Sequence, residues 1–274
     1  MAVYNLWKRY FPRSVKKRVA VFFYDALSRM NTADDLLFLN HGYAALEGPG
    51  STMELNPDLE KHRYPMQLYS RIADLIPWED QNAVEISCGR GGGTAFVMDT
   101  KKPAELIGID LAGASIDYCA KAHKAPGLSF QKGDAMQIPL DDASCDTVLN
   151  VESSFNYPDF EKFIGEVDRV LRPGGHFLIG DYRRAHSVDA FKASLDSLNY
   201  DVIEALDVSP HIIRALKLDS DRKVKMIQRY APKFLHGVLT EFAFANTGPG
   251  SDIDLFERGQ KVYWIYALRK PSAS

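Results

Sequence analysis

The stretch Val84-Glu85-Ile86-Ser87-Cys88-Gly89-Arg90-Gly91-Gly92-Gly93 passes from a short apolar run into a turn that is mostly glycine, and Thr94 to Asp99 continues as a helical pattern ending before Pro103. A glycine-rich turn from a parallel strand into a helix lets a ligand approach backbone N–H groups closely. Ligands of such sheets sit at the carboxyl ends of the strands. Taken alone, the turn fits a nicotinamide dinucleotide site or simply a tight strand–helix connection.

On either side of the turn the same alternation recurs. Ala83 to Ile86, Leu106 to Asp110, Leu128 to Lys132, Asp146 to Val151 and His176 to Asp181 read as strands, and Ser115 to Ala122 as a helix. Asp159 to Leu171 reads as a helix with Phe160, Phe163, Ile164, Val167 and Leu171 on one face, ended by Pro173-Gly174-Gly175. Strands alternating with helices predict a parallel sheet with right-handed crossovers. Beyond Asp181 the pattern predicts a helix over Val188 to Leu198 and a strand over Tyr200 to Leu206. Helices broken at Asp219 to Asp221 follow over Pro210 to Leu235, and the aromatic run Val262 to Leu268 closes the sheet near its edge. Upstream, Glu47 to Pro57 reads as a loop and Tyr64 to Ile76 as a helix. The expected fold is an α/β, doubly wound, Rossmann-like, mostly parallel seven-stranded sheet with a helical lid. Its parts are an N-terminal helical lid or oligomerisation segment (1–76), a ligand-binding core (77–186), and lid helices with the closing strands (187–274).

Three strand ends carry acids: Glu85 before the turn, Asp110 after the second strand, and Asp134 in Gly133-Asp134-Ala135 after the third. A carboxylate at Glu85 repels a pyrophosphate and suits an ammonium or sulfonium. Asp110 can accept from both hydroxyls of a ribose, and Asp134 from an adenine amino group. A ligand with a cation, a ribose and an adenine is S-adenosylmethionine.

The motifs Glu85-x-x-x-Gly89-x-Gly91, Gly108-x-Asp110, Gly133-Asp134-Ala135 and Leu171-Arg172-Pro173-Gly174-Gly175 stand in the order and spacing of a class I S-adenosylmethionine-dependent methyltransferase, which residues 80–182 resemble. Ser87 departs from the glycine common there. A looser likeness over most of the chain is to bacterial lipid and natural-product methyltransferases of the phthiotriol/phenolphthiotriol dimycocerosate type. It rests on Asn40-x-Gly42-Tyr43, Asn150-Val151-Glu152-Ser153-Ser154, Tyr157-Pro158 and Tyr263. The resemblance implies that Glu85, Gly89 and Gly91, with Ser87 in the same turn, surround the methionine part. It further implies that Asp110 holds the ribose, Leu111 lies on the adenine, and Asp134, Ala135 and Met136 read its edge. Asn150, Val151 and Glu152 would line the space toward the acceptor, with Tyr43, Phe155 and Tyr157 in its pocket.

An alcohol or phenol acceptor benefits from a base. Relatives often place a histidine just after the fourth strand, where this chain has Phe155 and Asn156, so Asp181, His41 and His186 are the candidates. The apolar, aromatic lid (Phe191, Tyr200, Ile212, Ile213, Leu216, Met226, Phe234, Phe242, Phe244) predicts a hydrophobic natural product or lipid as acceptor, and the leading reading is its O-methylation. Carbon methylation of an electron-rich ring or terpenoid, a cofactor-binding module without turnover, and a nicotinamide oxidoreductase (opposed by Glu85) are the competing readings.

Composition narrows the field. The 274 residues are 46% hydrophobic and 25% charged with net charge −3, which excludes a disordered chain and a basic nucleic-acid binder. Cys88, Cys119 and Cys145 are far apart and without a CxxC, which predicts neither a zinc site nor disulfides. No apolar run reaches the ~18 residues that span a bilayer, and the expected location is cytoplasmic. Residues 1–24 hold Lys8, Arg9, Arg13, Lys16, Lys17 and Arg18 and no acid. Three readings stand: a solvated basic face, a helix packing Val15, Val19 and Phe22 on the cleft or on another subunit of a homo-oligomer, or a peripheral anchor on an anionic membrane.

Overall fold

The computed structural model describes residues 37–38, 40–48, 53–230, 236, 240 and 246–272. The basic stretch 1–24 and Phe234, Phe242 and Phe244 lie outside the described residues, as does the Met226 side chain. One seven-stranded sheet organises the rest: β1 (Asn82–Ile86), β2 (Glu105–Asp110), β3 (Leu128–Lys132), β4 (Cys145–Val151), β5 (Leu171–Arg184), β6 (Asp201–Asp207) and β7 (Lys261–Arg269). Their spatial order is β3-β2-β1-β4-β5-β7-β6. The first five pair in parallel, and β7 runs antiparallel between β5 and β6. The order reverses between β1 and β4, and the crevice at such a switch point is where this architecture binds ligands.

Both faces of the sheet are covered, which is why β1 and β4 read as near-continuous apolar runs rather than as alternation. One face buries residues of α1 (Arg63–Ala73), α2 (Gly92–Lys101), α6 (Ser209–Tyr230) and α7 (Asp252–Glu257). The other buries α4 (Phe160–Val170) and α5 (Val188–Asp196), with Phe163, Phe177, Phe191 and Tyr266 in its core. A further helix, α3 (Gly113–Ala122), links β2 to β3.

The aromatic β7 lies near the edge as expected, one strand in: Tyr263 and Tyr266 are buried, while the edge strand β6 leaves Val202 and Ile203 exposed. Two expectations are corrected. β5 does not stop at Asp181, because β7 continues to pair with it as far as Arg184 opposite Lys261. The charges at Asp219 to Asp221 do not break α6, because Asp219 pairs one turn on with Arg222 at 2.5 Å and Lys223 at 3.5 Å, contacts a helix itself creates.

Residues 40–48 form a strap that joins α1 to α6. Tyr43 N donates to Tyr64 O at 2.9 Å, and the Tyr43 ring stacks on His211 with centroids 4.4 Å apart. Ala44 exchanges hydrogen bonds with His211, and Arg214 donates to the carbonyls of Leu46 and Gly48. Among the described residues no helix is long and apolar enough to cross a membrane.

Candidate active site

Glu85 is the penultimate residue of β1 and is fully buried. Tyr69 Oη donates to its Oε1 at 2.7 Å and Thr94 Oγ1 to its Oε2 at 2.5 Å. Tyr69 reaches it from α1 only because residue 93 is glycine: a Cβ there would lie 1.9 Å from the Tyr69 ring. Burial pushes the Glu85 carboxyl up from 4.5 to about 7, against the lowering pull of the two hydroxyl bonds. Both hydrogen-bond partners are neutral, so a cationic ligand brought to this turn favours the ionised form.

A pH dependence follows. Below pH 7 Glu85 takes up a proton and loses its attraction for a cation. The affinity for S-adenosylhomocysteine, whose ammonium persists, is therefore expected to fall by up to about tenfold per pH unit under pH 7 and to level off above it. In the ligand-free protein the sign is opposite. A carboxyl raised on folding contributes stability that is fully present below its unfolded value of 4.5 and lost as pH rises through about 7. Glu85→Gln is expected to bind the ligand more weakly with a flat profile from about one and a half pH units below the raised value to one above it in calorimetric titrations. A wild-type profile equally flat would remove Glu85 from the site.

The turn is shaped by residues 87 to 91. Ser87 takes φ +62°, a left-handed conformation that accounts for the glycine usual at this place. Its hydroxyl compensates by a 2.7 Å bond to Tyr157 Oη. Tyr157 also meets Asn150 Nδ2 at 2.9 Å and Ser153 Oγ at 3.1 Å, so its hydroxyl ties the turn after β1 to the end of β4. Burial raises the Tyr157 phenol, and it serves as an uncharged tie. Asn150 donates its second bond to Ile86 O at 3.0 Å and leaves Oδ1 buried without a hydrogen-bond partner, an acceptor suited to a donor on a ligand. Asp110 accepts from Gly89 N at 2.9 Å and Ala112 N at 2.8 Å, one bond to each oxygen. A carboxylate has about four acceptor sites, enough for these two and for a ribose diol. Asp134 receives Met136 N at 3.0 Å, and Ala135 and Met136 are buried next to it. Leu111 is half-buried where β2 runs into α3, and Val151 packs into the core. A buried acid with only neutral partners, an oriented Asp110 and an orphaned Asn150 acceptor fit the cation, ribose and amine of S-adenosylmethionine.

The ends of β4, β5 and β7 hold a second constellation. Glu152 takes φ +48° directly after β4, and its carboxylate turns to the strap. It accepts from His41 N at 2.9 Å and contacts His41 Nδ1 at 2.5 Å. His41 Nε2 lies 3.0 Å from Asp252 Oδ2, which also receives Lys261 Nζ at 2.7 Å. Burial acts to raise the Asp252 carboxyl, but His41 and Lys261 outweigh it and hold it well below the usual range. Lys261 in turn rests over the Tyr182 ring at 3.4 Å, and Tyr182 packs on Phe155 with centroids 4.3 Å apart.

The three candidates for a base stand in different settings. His41 is fully buried with a carboxylate at each ring nitrogen and so bridges Glu152 and Asp252. Asp181 is equally buried and accepts from Ser154 Oγ, Phe155 N and Tyr182 N at 2.5, 2.9 and 2.8 Å, with Arg183 at 3.0 Å. It holds the Ser154–Phe155 turn in place. His186 lies exposed in a 3-10 turn after β5. Sequence reading missed Tyr69, Thr94, Asp252, Lys261 and Lys223. Thr94 alone carried a local signal, as the hydroxyl in the first turn of the helix that follows the glycines.

Residues 84–179 match the model of a family described as a methyltransferase domain. The chain is 34% identical over 258 residues to the phthiotriol/phenolphthiotriol dimycocerosates methyltransferase of Mycobacterium tuberculosis, covering 94% of each protein. It is 33% identical to a fatty-acid O-methyltransferase of Mycolicibacterium smegmatis, covering 87% of this chain and 85% of that one. Among solved structures, the cyclase SpnF superposes with a TM-score of 0.68 at 18% identity, covering 93% of this chain and 96% of that one, a likeness of fold alone. With its strand-end acids in place and this similarity running nearly end to end, the chain belongs to the S-adenosylmethionine-dependent methyltransferases, in the family of the phthiotriol/phenolphthiotriol dimycocerosates enzymes.

Proposed function

We propose that the enzyme methylates an oxygen atom of a lipid-like acceptor that lies against the ends of β4, β5 and β7. The observation that carries this reading is the aromatic wall of Phe155, Tyr182 and Phe256 around the His41–Glu152–Asp252 bridge, at the strand ends next to the cofactor turn. Similarity over most of the chain to enzymes named for a phthiotriol lipid and for fatty-acid O-methylation supports it. Bound S-adenosylmethionine supplies a methyl group on a positive sulfur, open to in-line displacement. Glu85, Asp110 and Asp134 fix that group in place, and Glu152 on His41 holds the strap over the strand ends. Alignment of this kind is worth up to ~7–11 kcal/mol of the barrier. Carbon methylation would need an aromatic face for a developing cation, but the Tyr182 face already carries the Lys261 ammonium.

The test is incubation with methyl-labelled cofactor and three long-chain acceptors: an acid, an alcohol and a terpenoid alkene. Mass spectrometry is expected to find label as a methyl ester or ether. Label fixed on carbon, or in none of the three, would overturn the reading.

A further inference from the structure

We propose that Lys223 anchors the acceptor: its buried ammonium receives a monoanionic head group, a carboxylate, and an oxygen of that carboxylate is the atom methylated. The inference deepens the reading above and rests on it for the transferred group.

The inward stripe of α6 is Ile212, Leu216, Asp219, Lys223 and Ile227, all buried. This is the i, i+4, i+7, i+11, i+15 spacing of a core-facing helix, with two charges where apolar residues belong. Asp219 is accounted for by Arg222, which donates to both of its oxygens at 2.5 and 2.8 Å. Lys223 is not. It is 7% exposed, and its Nζ makes no hydrogen bond. The nearest carboxylate oxygen, Asp219 Oδ2, stands 3.5 Å away and already receives Arg222. An ammonium held out of water with only this long contact for its three N–H donors is costly, and a ligand that accepts from it would remove that cost. Burial accordingly lowers the Lys223 ammonium, while Asp219 and Glu152 pull it back up. Glu152 acts on Lys261 in the same way. Lys223 is thus within electrostatic reach of the residue that closes the strap, on the acceptor side of the sheet. The other buried lysine is already engaged, by Asp252 and the Tyr182 ring.

Charge decides the class of head group. Lys223, Lys261 and Arg222 stand against Asp219, Asp252 and Glu152, with His41 between the last two. In that balanced setting a single negative charge is accommodated and a diphosphate is repelled. The chemistry is consistent with the engaged state of His41 and Asp181. A carboxylate oxygen forms its bond to the methyl carbon as the carbon–sulfur bond breaks, and that electron pair stays on sulfur. One negative and one positive charge disappear together, the products are a methyl ester and a thioether, and no proton has to leave. Such an acceptor needs no base.

The experiment titrates decanoate and decanol into the protein saturated with S-adenosylhomocysteine, followed by calorimetry. Wild type is expected to bind decanoate. Lys223→Met is expected to weaken decanoate by about 10–100-fold, the worth of one charge-assisted contact, with decanol unchanged, and Lys223→Arg to recover most of the loss. The ligand-free melting temperature separates this role from a structural one. Removing an unsatisfied buried ammonium raises it, whereas loss of a needed partner of Asp219 lowers it. Equal decanoate affinity in wild type and Lys223→Met, or a lowered melting temperature with decanoate binding intact, overturns the proposal. Wild type that binds decanol and not decanoate overturns it while leaving the oxygen-acceptor reading standing. Wild type that binds neither overturns both.

Discussion

Asp110→Ala is expected to weaken S-adenosylhomocysteine binding by about 10²–10⁴-fold. Two charge-assisted hydrogen bonds to a ribose diol are worth roughly 1.5–3 kcal/mol each. The carboxylate has a second duty: through Gly89 N and Ala112 N it holds the glycine turn against the start of α3, so its removal also loosens the donors of the turn itself. Asp110→Asn separates the two duties. An amide keeps one oxygen for a backbone N–H but offers –NH2 where the second oxygen stood, so its affinity is expected between wild type and alanine. Calorimetry on both variants, with circular dichroism to establish folding, checks this. An unchanged dissociation constant in a folded Asp110→Ala protein would remove the ribose from this strand end, and with it the cofactor register along β1, β2 and β3.

What was legible in the sequence is what is local. Glu85, Gly89, Gly91, Asp110 and Asp134 each sit at or just past the end of a parallel strand, and that position is set by a few neighbouring residues. The first five strands were legible for the same reason: both their faces are covered, and their apolar runs need no partner to be recognised. The place of β7 was not. It slots between β5 and β6 in the opposite direction, and nothing in Val262 to Leu268 says which strands flank it. Its aromatic side chains pack inward, where Tyr263 and Tyr266 fill the two faces of the core. The continuity of α6 was hidden because Asp219 to Asp221 look like a solvated break, whereas Asp219 and Lys223 occupy its inward stripe. The acceptor side was least legible of all. Glu152 and Asp252 lie 111 and 211 residues from His41, a separation no spacing rule connects. His41 could be singled out as chemically interesting, but its role as a bridge depends on those two partners.

That bridge carries the second large effect. His41→Ala is expected to lower the melting temperature by on the order of 10 °C and to abolish acceptor methylation while S-adenosylhomocysteine binding changes little. The ring is fully buried, with Glu152 at 2.5 Å on one nitrogen and Asp252 at 3.0 Å on the other. Taking it away leaves two carboxylates facing one cavity, with Lys261 on Asp252 and Lys223 within electrostatic reach of Glu152, and breaking a buried pair of this kind costs about 3–5 kcal/mol. For a chain of this size each kcal/mol moves the melting temperature by about 2–4 °C. Glu152 would be the more exposed to the loss, because its left-handed backbone at φ +48° is held at the strand end while its carboxylate reaches the strap. The strand-end acids Glu85 and Asp110 have their own partners at β1 and β2 and do not depend on the bridge. Thermal melts and titrations of the alanine variant therefore report on different parts of the molecule. A variant that melts like wild type and still methylates its acceptor would mean that the strap is held by its contacts with α1 and α6 alone. The contact between Glu152 and His41 would then have no part in closing the cleft.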